Sequence, residues 1–265
     1  MSDKFDLRVI SLGLGRQSVA MYLLADEGKL GHIDYAVFAD TQDESPATYR
    51  WIDLLLERGG IPIVSSSRGR LSDEVLRSMR ETPSGFCPIP TYVQGDTGRE
   101  KQGRRQCTRS HKTDVIYRTV RALLSLEPGE RSEPNRCETL IGISTDEAHR
   151  ASPSRYPLMV NRFPLLYDIP MRRWECAQYV EEKMGEVPPK SSCTYCPFRS
   201  DADWIDMKQN DRASFDRAVS FERKIHALDP QQFIHDSCKP LDEVNFEPDR
   251  TLDLFGNDCT GLCGV

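Results

Sequence analysis

A chain of 265 residues with 35 lysines and arginines against 41 aspartates and glutamates carries a formal charge of −6. That balance excludes a general electrostatic case for nucleic acid, so such a partner has to rest on a local patch. The length suits one α/β unit with a small appendage. No apolar run is long enough to span a bilayer and residues 1–5 lack a signal-peptide core, so the expected location is the cytosol.

The first apolar run, Leu7, Val9 and Ile10, reads as a buried strand, and Val19 to Ala25 reads as a helix. Between them lies Ser11-Leu12-Gly13-Leu14-Gly15-Arg16-Gln17-Ser18. A strand feeding a glycine turn and then a helix aims backbone N–H groups and the positive end of the helix dipole at one spot, which favours an anion. The turn is no Walker A loop, because no Lys-Ser or Lys-Thr pair follows the glycines, and no dinucleotide fingerprint, because the sixth position is Ser18. Its plain alternative is a glycine turn needed only for tight packing.

Tyr35 to Phe38 forms a second strand ending at Ala39-Asp40-Thr41. Residues 45–58 read as a helix with Ser45 as N-cap and Pro46 in the first turn. Ile61, Ile63 and Val64 give a third strand, and residues 71–79 a helix. This alternation predicts an α/β fold: a three-layer, doubly wound, mostly parallel sheet. Residues 81–106, rich in proline and glycine, read as a long functional loop. It ends in Arg99, Lys101, Arg104 and Arg105, either a solvated charge run or a patch facing phosphate or RNA. A helix follows over residues 113–126, then a strand over Leu140 to Ile143 ending in Ser144-Thr145-Asp146-Glu147. Gly13, Asp40 and Asp146 all fall at carboxyl ends of strands, where open parallel sheets bind ligands. Each acid also has an alternative use as a cap on the helix behind it. Helices over residues 170–184, 201–209 and 212–228 complete the regular elements, with Trp204, Phe215 and Phe221 available for packing. The expected division is a nucleotide-binding α/β domain over residues 1–190 and a CxxC-containing helical region over 191–265, packed on it.

Nine cysteines are many for a reducing compartment, where disulfide frameworks are rare. Cys193-Thr194-Tyr195-Cys196 is a CxxC followed by proline, open between zinc, an iron–sulfur cluster and a dithiol pair. Its position far downstream, after a proline-rich lead, disfavours the thioredoxin-like dithiol. Cys137 and Cys176 read as core residues, and His111 as a candidate ligand or acid/base through its neighbour Cys107.

The stretch from Ser11 to Ser18 resembles the PP-loop of the adenine-nucleotide α-hydrolase superfamily, in the form found among PAPS reductase-like proteins. Cys107-Thr108-Arg109-Ser110-His111-Lys112 before a later CxxC is similar to the cluster-binding pattern of the assimilatory sulfonucleotide reductases. Residues 142–147, Arg150, Tyr156-Pro157-Leu158, Phe163-Pro164-Leu165, residues 189–199 and the closing CxxxCGV resemble an uncharacterised bacterial and phage branch of that PAPS reductase-like group. Two positions depart from the pattern: Gln17 stands where many members carry Asp, and Gln106-Cys107 replaces a Cys-Cys pair.

The resemblance implies that Ser11, Gly13, Leu14, Gly15, Arg16, Gln17 and Ser18 hold the phosphates of an adenine nucleotide, with Asp40 near the nucleotide or its Mg²⁺. It further implies that Arg109 and Lys112 neutralise pyrophosphate or sulfate and that Asp146 and Glu147 line the crevice. Cys107, Cys193, Cys196 and Cys263 become ligands of a 4Fe–4S cluster, with Cys259 as the alternative fourth ligand, a three-cysteine cluster as another, and zinc as the alternative metal. The implied chemistry is ATP-dependent sulfur transfer to a tRNA base, DNA or a small molecule, using a sulfur donor. Its rivals are reductive cleavage of PAPS or APS with a thioredoxin-like reductant, and a non-catalytic nucleotide-sensing module with structural zinc.

Overall fold

The computed structural model describes residues 4–82, 86–94 and 100–247. Along the chain run β1 (Leu7–Ser11), α1 (Arg16–Asp26), β2 (Tyr35–Asp40), α2 (Pro46–Arg58), β3 (Ile63–Ser67) and α3 (Leu71–Glu81). A short hairpin, β4 (Tyr92–Gln94) and β5 (Glu100–Gln102), leads to a π-helical turn, Thr108–Thr113, that runs straight into α4 (Asp114–Leu123). Then come β6 (Cys137–Ile141), a 3₁₀ turn Thr145–Arg150, β7 (Met159–Arg162), α5 (Pro164–Tyr167) and α6 (Arg173–Met184). The chain continues through α7 (Asp201–Asn210), α8 (Arg212–His226), β8 (Gln232–Phe233) and a last 3₁₀ turn, Leu241–Glu243.

Five of these strands form one sheet in the order β3-β2-β1-β6-β7, every pair parallel. Alternation along the strands sorts the side chains into two layers. Ile10, Ala36, Phe38 and Leu140 point to one face and pack with α1, α2 and α6, where Trp51 and Leu55 are buried. Leu7, Val9, Val37, Ala39 and Cys137 point to the other and meet Val115, Ile116 and Val120 of α4. Helices on both faces of a parallel sheet give the three-layer architecture expected from the alternating elements. The Ser45 hydroxyl accepts from the Thr48 amide at 3.3 Å, which is the predicted cap of α2.

Two segments differ from the sequence reading. The stretch expected as one loop over residues 81–106 contains β4 and β5, which make a small antiparallel sheet with β8 from near the other end of the chain. β7 is a further strand at the edge of the main sheet, where half-buried Asn161 and Arg162 weaken the apolar signal. A separate core joins α3 to α7 and α8: Leu71, Val75 and Met79 pack with Trp204, Met207, Phe215 and Ile225. The buried Glu222 carboxylate pins the following segment there, accepting from the amides of Ile234 at 2.9 Å and Leu241 at 2.6 Å. Cys107 and Cys193 lie against the edge of this core. Among the described residues no helix is long and apolar enough to cross a membrane.

Candidate functional site

Strand order fixes where a ligand crevice forms. β1 sits between β2 and β6, so the direction of crossover reverses between β1 and β6, which is where open parallel sheets bind ligands at the carboxyl ends of their strands. The glycine turn occupies that place. Leu12 is still held by the sheet, its amide donating to the Val37 carbonyl at 2.9 Å. Leu14 then takes a left-handed φ of 58°, a conformation that costs a side-chain-bearing residue about 1–2 kcal/mol and turns the chain into α1. The Ser18 hydroxyl folds back on the turn, accepting from the Gly15 amide at 3.2 Å and lying 3.1 Å from its carbonyl oxygen. The first-turn amides of Arg16, Gln17 and Ser18 have no partner inside the helix, the ordinary condition for an anion-binding N-terminus.

Across the crevice, β6 comes as close as backbone allows. A Cβ built on Gly142 would lie 2.9 Å from the Ser18 nitrogen and 3.0 Å from the Gln17 carbonyl carbon, so only glycine fits without moving α1. Gln17 uses that proximity. Its buried amide donates to Glu147 Oε2 at 2.9 Å and reaches the Ser144 hydroxyl at 3.4 Å, while Arg150 holds the other Glu147 oxygen at 2.5 Å. Gln17 and Glu147 thus tie the two sides of the crevice together. Asp146 is exposed, and its carboxylate accepts from the Arg173 amide at 3.1 Å, at the first residue of α6. It serves there as a cap on a helix further along than the one expected. At the end of β2, Asp40 accepts from the Gln42 amide at 2.7 Å and the Tyr49 hydroxyl at 2.8 Å. Burial and this carboxylate raise the Tyr49 phenol, so it stays protonated. A polar cleft of about 600 Å³ opens beside Asp40, with Tyr49, Arg70, Arg217 and Lys224 among its walls, within the range of small-molecule sites.

The second half of the site is built from cysteines. Ser191 donates its hydroxyl to the Gly13 carbonyl, so the segment carrying the CxxC is fastened to the glycine turn. Two residues on, Cys193 bridges to Glu44, and the Thr194 amide donates to the Asp43 carbonyl at 2.8 Å. Cys193 Sγ lies 3.4 Å from the Thr41 hydroxyl and 3.9 Å from Glu44 Oε1. Lys112 reaches the same Glu44 oxygen at 3.0 Å, both side chains being buried. Burial pushes the Cys193 thiol well above its ordinary value, Glu44 adds to the rise and Lys112 opposes it. A thiol in that state is a poor redox nucleophile and has to lose its proton to bind metal.

Lys112 arrives beside the cysteines because of the π turn. In an α-helix, which advances about 100° per residue, positions five apart diverge by about 140°. A π turn bonds residue i to i+5 and stacks them instead. The Asp114 amide accordingly donates to the Arg109 carbonyl, and the Thr113 hydroxyl to the Thr108 carbonyl at 3.2 Å. Cys107 and Lys112, five apart, line one cavity with Cys193 and Cys196. Arg109 does not join them: it is exposed, and its charge reaches Tyr156 on α4's side of the sheet.

That cavity encloses about 30 Å³, room for one water-sized group. Among the described residues no set of three or more His, Cys, Asp or Glu side chains is arranged to hold a metal ion as it stands. In kind, the donor set suits an iron–sulfur cluster: three thiols share a cavity with a cation, and two buried hydroxyls beside them, Thr108 and Ser192, lack partners. In size, the thiols have to spread to admit a cluster.

No protein-family model matches the chain, and no curated protein sequence matches it either.

The expected site residues therefore fall into groups. The turn from Ser11 to Ser18, with Gln17, Glu147 and Ser144, forms the crevice. Cys107, Lys112, Cys193 and Cys196 gather in the cavity, while Cys259 and Cys263 lie outside the described residues. Arg109 and Asp146 are both exposed and neither lines the cysteine cavity; Asp146 caps the start of α6. His111 is buried beside Glu74, 3.6 Å away, on α3's side of the π turn. Burial lowers its pKa, against the pull of Glu74, leaving it neutral. Cys137 and Cys176 are buried, as expected of core residues, and burial pushes each thiol up to about 12. Thr41, Glu44, Thr108 and Ser192 were not foreseen. Three of them adjoin a predicted site residue in sequence, which is the signal that was available.

Proposed function

We propose that the chain is an adenine-nucleotide-binding PP-loop enzyme that uses ATP to activate an acceptor for sulfur transfer, assisted by a 4Fe–4S cluster. The observation that supports this reading best is the bond from the Ser191 hydroxyl to the Gly13 carbonyl. It makes a phosphate-type turn and a three-thiol cavity parts of one construction, and a sulfur-transfer enzyme needs its nucleotide and its sulfur close together.

In this reading the amides of residues 13–18 and the positive end of α1 hold phosphate, and Asp40 stands near the nucleotide or its Mg²⁺ at the head of the adjoining cleft. Glu147 acts through Gln17, keeping the two sides of the crevice in register. Cys107, Cys193 and Cys196, with Cys263 from the tail, hold the cluster, and Lys112 offsets negative charge there rather than at pyrophosphate. When bound, the cluster supplies soft metal sites that suit sulfur. An acceptor oxygen attacks the α-phosphorus of ATP and pyrophosphate leaves; a sulfur nucleophile then displaces AMP from the adenylated position. The acceptor is a tRNA base, a DNA phosphate or a small molecule in the cytoplasm.

Anaerobically purified protein incubated with Mg-ATP, sulfide and in turn bulk tRNA, duplex DNA or small-molecule acceptors is expected to release AMP and pyrophosphate in equal amounts and to label one acceptor with sulfur. Absence of ATP binding by calorimetry overturns the reading. Binding of PAPS with thioredoxin-dependent release of sulfite identifies reductive cleavage in its place.

A further inference from the structure

The cleft beside Asp40 carries positive charge that its own walls leave unmatched. Arg70, just before α3, and Arg217 and Lys224, on α8, all line it, and none of the three has a carboxylate within ion-pair distance among the described residues. Arg217 and Lys224 stand seven residues apart, two helical turns, and so share a face of α8. The arginines of that helix outside the cleft are neutralised, Arg212 by Asp216 and Arg223 by Asp242.

The carboxylates of the cleft differ in what they still offer. Asp43 has both oxygens taken, Oδ2 by the Ser72 amide at 2.7 Å and the Tyr195 hydroxyl at 2.8 Å, and Oδ1 by the Ser72 hydroxyl at 3.2 Å. Glu44 is committed to Lys112. Asp40 receives the Gln42 amide and the Tyr49 hydroxyl on Oδ1 alone, which leaves Oδ2 without a hydrogen bond among the described residues. Asp73, exposed in the first turn of α3, adds another acceptor. Unmatched cations and open acceptors in one cleft of about 600 Å³ call for a small guest with an anionic group and hydrogen-bond donors. A phosphate ester bearing hydroxyls has both. A nucleic-acid strand fits less well, because the positive charge does not continue along α8 beyond the cleft.

We infer that this cleft binds a small phosphate ester, its phosphate on Arg217 and Lys224 and its hydroxyls toward Asp40, and that this compound is the acceptor of the reaction proposed above. The acceptor role rests on that reaction; the binding does not. Thr194 and Tyr195 of the cleft wall belong to the segment that Ser191 fastens to Gly13, so the cleft and the glycine turn share a support at the carboxyl ends of the paired strands β2 and β1.

Calorimetric titration of the full chain with ribose 5-phosphate, inorganic phosphate and ribose tests this, each repeated in saturating Mg-ATP. The expected result is a single site for ribose 5-phosphate with or without ATP, weaker binding of phosphate and none of ribose. Arg217→Ala combined with Lys224→Ala is expected to weaken ribose 5-phosphate about tenfold or more. Arg212→Ala combined with Arg223→Ala removes the same charge outside the cleft and leaves the affinity unchanged; all four side chains are exposed, so both variants keep the fold. Asp40→Asn weakens ribose 5-phosphate and spares phosphate. No binding of ribose 5-phosphate by wild type, or equal affinity in the two double variants, overturns the inference while ATP binding, titrated alone, still reports on the proposed reaction. Displacement of ribose 5-phosphate by ATP makes the cleft the nucleotide's own and overturns the acceptor assignment, as does binding of bulk tRNA that the Arg217 and Lys224 variant loses. Wild type that binds ribose 5-phosphate but not ATP overturns the proposed reaction and the acceptor role with it, and keeps the phosphate-ester site.

Discussion

Lys112 and Glu44 form a buried pair in which each charge depends on the other. Desolvating two such groups offsets most of their attraction, so the pair adds little net stability, but removing one partner strands the other. Lys112→Met is therefore expected to destabilise the fold by about 3–5 kcal/mol, and Glu44→Gln added to it to restore most of the loss. Denaturant titration of the single and double variants checks this. Full stability in Lys112→Met alone would mean that Glu44 finds another counter-charge. The pairing of Lys112 with Glu44 was not legible in the sequence, because it depends on the π turn before α4, which no pattern of residues announces. The place of Asp40 at the end of β2 was legible from the apolar run before it, whereas Glu44 sits in a loop whose course depends on the distant CxxC segment.

The element that governs the crevice is the junction of β6 with the start of α1. Apolar runs identified both, along with β2 and β3, while β7 at the sheet edge was missed. The separation of β6 from α1, however, is set by Gly142, whose missing Cβ lets Ser18 and Gln17 approach to backbone contact. Gly142→Ala is expected to cost about 1–3 kcal/mol, because the atoms it meets are main chain and cannot rotate aside. If the proposed function holds, it also weakens ATP binding by displacing the first turn of α1. Thermal melts and calorimetric ATP titration measure both effects; a stable variant with unaltered ATP affinity would show that the junction relaxes freely. The hairpin of β4 and β5 was illegible for the opposite reason. Its strands are three residues long, and their partner β8 lies more than a hundred residues downstream.

At the scale of the whole molecule the chain has two apolar centres, the layered sheet and the packing of α3 with α7 and α8. A boundary near residue 190 follows the sequence but not the packing, since α3 belongs with the later helices. The π turn runs along the seam between these centres, and His111 is buried there. Its folded pKa lies below the unfolded value of about 6.5, so the unfolded chain binds a proton first as pH falls. Global stability is accordingly expected to be full at pH 7.5, to decline as pH drops through about 6.5, and to level off below the folded value. His111→Gln should flatten that part of the curve in urea titrations at successive pH values. An unchanged slope would assign the pH dependence to other groups.

The π turn also has a bearing on chain length. Four residues of α-helix advance about 400°, which returns a side chain to within about 40° of its starting direction. A segment one residue shorter, wound as ordinary helix, therefore sets its first and last side chains on the same side, much as the longer segment does by winding wider. Two chain lengths thus satisfy one requirement, that a cation face a thiol. A residue gained or lost between Ile116 and Val120 has no such remedy: it turns Val120 about 100° out of line with Val115 and Ile116 and splits the face that meets the sheet. The turn works as an expansion joint, the place along this helix where length is free and direction is kept.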